Sequence, residues 1–211
     1  MQDKGLLIVI SGFSGVGKGT IVSELLKRYP DRYSLSVSAT TRARRPGEEE
    51  GISYFYKTRE AFEELIRDDR LLEFAEYNGN YYGTPRDYVL SEIEAGRNVI
   101  LEIEVQGAMK IRQKFPEAIL VFILPPSADS LYRRLKMRGT ETEEVIMKRL
   151  TRAVEEAEYA KYYDYCPVND DLETCIQEVH DFITNKQNEM EERRQLLSAL
   201  TEGLTAIVEN K

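Results

Sequence analysis

The run Gly12-Phe13-Ser14-Gly15-Val16-Gly17-Lys18-Gly19-Thr20 brings glycines, hydroxyls and a lysine together at a spacing suited to phosphate. Gly12-x4-Gly17-Lys18 matches the G-x-x-x-x-G-K core of a phosphate-binding loop. In such a loop, backbone N–H groups and the start of the following helix converge on one anion. Glycines let the chain curve without Cβ clashes. Lys18 adds a point charge for the outer phosphates of a nucleoside triphosphate. The loop specifies a phosphate donor and leaves the reaction open.

A second cluster has the chemistry of another phosphate site. Ser38-Ala39-Thr40-Thr41-Arg42-Ala43-Arg44-Arg45-Pro46-Gly47-Glu48 holds three arginines within four residues, with hydroxyls before them. Guanidinium groups fork onto phosphate oxygens in bidentate fashion. Gly51-x-x-Tyr54 follows. Glu73 lies in LLEFAEYNGNYYGT, which also offers Tyr82 and Thr84. Glu102-Ile103-Glu104-Val105-Gln106-Gly107 closes a strand-like run.

The elements that must position these residues alternate. LLIVIS (6–11) is a continuous apolar run, as in a strand buried on both faces of a parallel sheet. After the glycine loop, Ile21, Val22, Leu25 and Leu26 share one helix face. NVILEI (98–103) predicts a strand and 106–115 a helix. AILVFIL (118–124) predicts a strand stopped by Pro125-Pro126, with Ser127 capping the next helix, which ends at Gly139. A long helix is expected over about 142–162, a short strand near Tyr165 to Val168 and a final helix after Asp171. The pattern is that of an α/β domain with a parallel sheet. Residues 38–86 break the rhythm. They predict a small, mostly β insertion, with Asn78-Gly79 as its hairpin turn. In the tail, Leu197, Leu200, Leu204 and Ile207 share a spacing that fits either a helix packed on the core or a two-heptad seam for self-association.

Composition narrows the classes. The chain has 211 residues and a formal net charge of -8, which disfavours sequence-independent nucleic-acid binding. Cys166 and Cys175 form no CxxC pair, so a disulfide scaffold and a zinc site are not expected. His180, the only histidine, falls in a helical pattern and reads as a packing or surface residue rather than a catalytic base. No apolar run approaches bilayer length, and a cytoplasmic, membrane-free setting is expected.

In order, the run SATTRxxRxGE, the GxxY, the EFAxYxGNYYGT segment, LEIxVQGA, RGTETEE and the VND triplet resemble the guanylate kinase family over about residues 5–185. The K-G-T loop ending is similar to that of nucleoside monophosphate kinases. The resemblance implies a P-loop nucleoside monophosphate kinase fold with a parallel five-stranded core sheet flanked by helices. The core would be 1–37, 87–125 and 151–185, with a GMP-binding insertion at 38–86, a lid at 126–150 and a helical extension at 186–211. That last helix offers a route to a homo-oligomer.

The implied activity is transfer of the γ-phosphoryl group of ATP to GMP, and also to dGMP. Gly12 through Thr20 would hold the ATP phosphates, and Asn169 would lie near adenine. Ser38, Glu73 and Thr84 would read guanine. Arg42, Arg45, Tyr54 and Tyr82 would hold the GMP phosphate. Lys18, Arg42, Arg134, Arg138 and Arg149 would act on the transferring group. Glu102 and Glu104 would lie near guanosine and the metal, with Glu104 standing where Asp is more typical. Mg²⁺ would accompany ATP, held mainly by phosphates and waters, with Thr20 as one direct ligand option. Guanine chemistry agrees. Its N1–H and N2–H₂ donors suit the acceptor-only Glu73, and hydroxyls of Ser38 and Thr84 can donate to O6. The alternative is a non-catalytic guanylate-kinase-like domain that binds phosphopeptides. Such domains typically carry a degraded loop, whereas Gly12, Gly17 and Lys18 are intact here.

Overall fold

The apolar run before the glycine loop is a strand covered on both faces. In the computed structural model, which describes residues 4–77, 79–137 and 142–189, Ile8, Val9 and Ile10 are fully buried. β1 (Leu7–Gly12) passes through the loop into α1 (Lys18–Arg28) and then β2 (Tyr33–Leu35). The segment that broke the periodicity contains β3 (Ala39–Thr40), β4 (Phe55–Tyr56), α2 (Arg59–Arg67), β5 (Leu71–Tyr77) and β6 (Asn80–Pro85). The chain returns through α3 (Arg86–Glu94), β7 (Asn98–Glu102), α4 (Val105–Lys114) and β8 (Ile119–Ile123). It ends in α5 (Ala128–Met137), α6 (Glu143–Ala157), a 3₁₀ turn at Ala160–Tyr162 and α7, helical over 172–189.

The core sheet is parallel, in the order β2-β7-β1-β8. The expected fifth strand is present only as two isolated bridges on the outer edge of β8, Val121 with Tyr165 and Leu124 with Val168. Proline explains the gap. The Tyr165 carbonyl accepts from Phe122 N, and the Pro167 carbonyl accepts from Leu124 N. The intervening ladder bond would need an N–H on residue 167, which proline lacks. The ladder resumes where Asn169 N donates to the Leu124 carbonyl, and this sets the position of Asn169.

The insertion folds as expected, into a small sheet of order β4-β3-β6-β5 with a separate core of Ala39, Phe62 and Leu71. Tyr77 pairs with Asn80 across the hairpin, and Gly79 takes φ +75°, a left-handed value that glycine accepts without strain. Thr58 caps α2 by accepting from Ala61 N. Helix α4 of the core holds this lobe from beneath: Lys110 Nζ donates to the Phe74 carbonyl at 2.7 Å, and Lys114 Nζ to Asp69 at 3.0 Å.

Two helix limits differ from the sequence expectation. The helix expected over 142–162 stops at Ala157. The chain there tightens to bury Tyr163 against Phe122, with ring centroids 5.1 Å apart. The division at 186 cuts through α7, whose Gln187 accepts from Asn98 Nδ2 at the foot of β7. Ser127 caps α5 as expected, accepting from Ser130 N, while Gly139 and the leucines of the tail lie outside the described residues. Both cysteines are free thiols. Among the described residues no helix is long and apolar enough to cross a membrane.

His180 is a packing residue. Its ring stacks on Tyr29 at 3.7 Å, and Nδ1 meets the Tyr33 hydroxyl at 2.9 Å. Burial, helped by the Arg32 charge and opposed by Asp181, pushes its pKa below 6.5. A base whose folded pKa is depressed contributes stability above its unfolded pKa and loses it as pH falls through the window below 6.5. Thermal unfolding at pH 7.5 and 5.5 should therefore show acid destabilisation. In His180→Phe, which keeps a stacked ring, this acid sensitivity should shrink. An equal drop in Tm for both proteins would assign the effect elsewhere.

Candidate active site

The glycine loop leaves β1 at the carboxyl edge of the sheet, where parallel α/β sheets bind ligands. Its carbonyl side is tied down. The Val16 carbonyl accepts from Asn169 Nδ2 at 2.8 Å and from Arg134 Nη1 at 3.2 Å, while Arg134 Nη2 donates to the Asn169 carbonyl at 2.7 Å. Phe13 and Val16 point into the core, with Phe13 edge-on to Phe122 at 5.1 Å. These two residues therefore offer the site only backbone. Gly17, at φ +101°, faces Asn169 so closely that a Cβ would sit 2.7 Å from Nδ2. Lys18 Nζ donates to the carbonyls of Gly12 at 2.7 Å and Phe13 at 3.1 Å. From α6, Arg149 Nη1 donates to Ser14 Oγ at 3.0 Å. Arg138 lies outside the described residues.

The arginine cluster sits in the loop between β3 and β4. Arg42 Nη2 donates to Glu48 Oε1 at 2.6 Å, and its guanidinium lies 5.3 Å from the Tyr54 ring centre. Tyr82 is edge-on to Tyr54 at 6.1 Å, so Arg42, Tyr54 and Tyr82 share one corner of the lobe. Arg45 lies in the same loop with an exposed side chain, and its N–H donates to Glu48 Oε2.

Between this corner and the core sheet lies a cavity of about 150 Å³, lined by Ser36, Ser38, Tyr54, Thr84, Glu102 and Ile103 among others. Thr84 Oγ1 donates to Glu73 Oε1 at 2.8 Å. Glu73 is buried, and burial pushes its pKa up. Gly107 on α4 makes room for it: a Cβ there would lie 3.2 Å from Glu73 Oε2. Since Thr84 spends its one hydroxyl proton on Glu73, Ser38 is the lining hydroxyl of the expected pair left to donate to a ligand carbonyl.

Glu102 joins the two halves. It lines the cavity, and both its carboxylate oxygens come within 3.7 Å of where a Cβ on Gly19 would stand. Crowding by protein pushes its pKa up, and the Lys18 charge opposes this. Glu104 is directed differently. It occupies the N-cap position of α4 without a side-chain capping bond, and it pairs with Arg152 of α6, which also reaches the buried Glu156 at 3.2 Å. Thr20 is exposed in the first turn of α1, beside Gly19. The oxygens of Thr20 and Glu102 are hard donors of the kind Mg²⁺ takes. Among the described residues no three or more His, Cys, Asp or Glu side chains are grouped so as to hold a metal ion.

A glycine-rich loop and an arginine-lined corner, both bordered by one carboxylate, are the setting for what sequence comparison finds. The family model "Guanylate kinase" matches residues 4–186. The chain belongs to the guanylate kinase family. It is 52% identical over 183 residues to the guanylate kinase of Halalkalibacterium halodurans, covering 87% of this chain and 89% of that one. It is 46% identical over 206 residues to that of Oceanobacillus iheyensis, covering 97% and 100%. The crystal structure of guanylate kinase from Anaplasma phagocytophilum superposes with a TM-score of 0.68 at 32% identity, covering 88% of each chain.

Within the guanylate kinase fold, the sequence-selected residues fall into two groups that Glu102 links. Three structural participants were not singled out from sequence: Glu48 as a partner of Arg42, and the pair Arg152 and Glu156. Glu48 stood in the quoted arginine run, and the charge opposite Arg42 was a signal for it. Arg152 and Glu156 form an i, i+4 pair, a pattern common on solvated helices and therefore uninformative.

Asn169→Ala removes a buried donor to the Val16 carbonyl. Urea unfolding should show a loss of about 1–2 kcal/mol, and KM for ATP should rise. Unchanged values for both would mean that Arg134 alone holds the loop.

Proposed function

We propose that this chain transfers the γ-phosphoryl group of ATP to GMP, giving ADP and GDP. Membership of the guanylate kinase family over residues 4–186 carries the reading, and the intact phosphate loop sets it against the phosphopeptide-binding alternative. ATP places its phosphates on the N–H groups from Gly12 to Thr20. GMP enters the cavity between β6 and β7, with its phosphate at Arg42, Arg45, Tyr54 and Tyr82. Glu73, ionised, accepts from guanine N1–H and N2–H₂, and Ser38 donates to O6. Adenine presents no N1–H and would leave a buried carboxylate facing a lone pair, a strong penalty.

A GMP phosphate oxygen attacks the γ-phosphorus in line as the bond to the β–γ bridging oxygen breaks, and ADP departs with that electron pair. The attacking oxygen is already anionic, so no general base is required. The protein aligns the two phosphates and neutralises charge, which is most of what phosphoryl transfer needs. Lys18, Arg42 and Arg149 supply positive charge, and Arg134 acts through the loop it holds. Thr20 and Glu102 would lie beside a Mg²⁺ that arrives with ATP, and that ion would supply further charge neutralisation. The core, the 38–86 lobe and the 126–150 lid close together to exclude water. The cytoplasm is the setting this chemistry implies.

A coupled assay with ATP and each of AMP, GMP, CMP, UMP and dGMP tests the acceptor. GMP should exceed AMP in kcat/KM by at least about a thousandfold, and comparable turnover of AMP would overturn the guanine reading. Lys18→Ala should lower kcat/KM by about a hundredfold or more in protein that still folds. The raised pKa of Glu73 gives a pH signature. As pH falls, Glu73 protonates before an ordinary carboxylate of pKa 4.5 would, so kcat/KM for GMP should decline on the acid side above that value. Glu73→Gln should start low in kcat/KM for GMP and lack that limb.

A further inference from the structure

The loop of 41–54 carries the acceptor-phosphate arginines on a long connection between two-residue strands, β3 and β4. Such a connection has little ladder of its own to fix Arg42 and Arg45. One carboxylate does that work. Glu48 Oε1 accepts from Arg42 Nη2 at 2.6 Å. Glu48 Oε2 accepts from the Arg45 backbone N–H at 2.8 Å and from the Tyr56 hydroxyl at 2.7 Å. The Glu48 carbonyl accepts from Arg44 Nε. All three arginines of the cluster are thus joined to one residue, and Tyr56 ties that residue to β4.

We infer that Glu48 is a positioning residue for the acceptor phosphate: it holds the Arg42 guanidinium and the Arg45 backbone in place before the nucleotide arrives. The inference rests on the acceptor-site reading above and deepens it. Arg42 spends Nη2 on Glu48 and Nη1 on the Ala43 carbonyl, and its half-buried guanidinium lies against Tyr54. A guanidinium has five donors in a rigid fork, so bonds on one side fix the direction of the rest. The cost of ordering a long arginine side chain is met in the free protein rather than on binding. Arg42, the Arg45 N–H and the Tyr56 hydroxyl together hold the Glu48 carboxyl down to about 2, so it stays ionised throughout the working range.

The role is specific to phosphate, which separates it from a general part in the lobe's stability. Guanosine enters the same cavity but has no phosphate for Arg42 and Arg45. The test compares GMP as substrate with guanosine as a competitive inhibitor in the wild type, Glu48→Gln and Tyr56→Phe. Glutamine keeps one acceptor and turns an NH₂ group toward donors. KM for GMP should rise by about tenfold or more in Glu48→Gln. The inhibition constant of guanosine and KM for ATP should stay within about twofold. Tyr56→Phe removes one of the bonds to Glu48 and should give a smaller GMP-selective rise, which keeps the inference testable if Glu48→Gln folds poorly. An unchanged KM for GMP in both variants overturns it, as does an equal loss for guanosine and GMP. Failure of guanosine to compete with GMP in the wild type would instead count against the acceptor-site reading itself.

Discussion

A phosphate loop must keep its N–H groups aimed outward without a ligand to hold them, so its carbonyl side has to be fixed by something else. Here that constraint falls on the Val16 carbonyl, which accepts from Asn169 and from Arg134. Much of the core follows from it. Asn169 reaches Val16 because the edge segment resumes pairing with β8 after Pro167. Arg134 reaches it because α5 starts just past the β8 carboxyl end, with Ser127 as its cap. Leu135, on the same helix, lies against Gly15, where a Cβ would come within 2.7 Å. The loop is shaped from behind by three neighbours: Arg134 holds the Val16 carbonyl, while Asn169 and Leu135 leave no room for a side chain at Gly17 and Gly15.

The 38–86 lobe, the proposed acceptor half, solves a different problem. It must concentrate cations on a chain of net charge -8 and keep them from folding onto the wrong anions. The lobe does this with one carboxylate in the cluster and one outside it. Glu48 binds the arginines into a fixed set, and Glu73 sits apart, buried, with Thr84 as its donor. A buried carboxylate that retains acceptor capacity discriminates between ligands more sharply than an exposed one, because water cannot replace a missing donor.

The sequence made the core strands legible because they are buried on both faces and read as unbroken apolar runs. The phosphate loop was legible because its glycines answer to local sterics. By contrast, β2 has three residues, and α3 buries only Val89, so neither left a periodic trace. The fifth strand was visible as a run near Tyr165, but its interruption depended on which N–H the ladder required, a matter of register rather than composition. Among the site residues, Glu73 and Thr84 were both found. That they bond to each other follows from the hairpin, since a turn at 78–79 sets residue 73 opposite residue 84. The links from α6, Arg149 to Ser14 and Arg152 to Glu104, depend on where that helix lies; the family resemblance pointed to Arg149, and nothing in the sequence pointed to Arg152.

Those two links give Glu104 a meaning that its position alone did not. Its side chain is mostly exposed, and an ion pair at such a site adds little to stability. Its effect is geometric. Helix α6 touches the donor loop through Arg149 and, one turn later, the start of α4 through Arg152. Arg152 also pairs with Glu156 on its own helix, so its guanidinium is braced from within α6 before it meets Glu104. Glu104 brings the start of α4 to that braced group. Helix α6 is therefore fastened both to the glycine loop and, two residues from Glu102, to the start of α4.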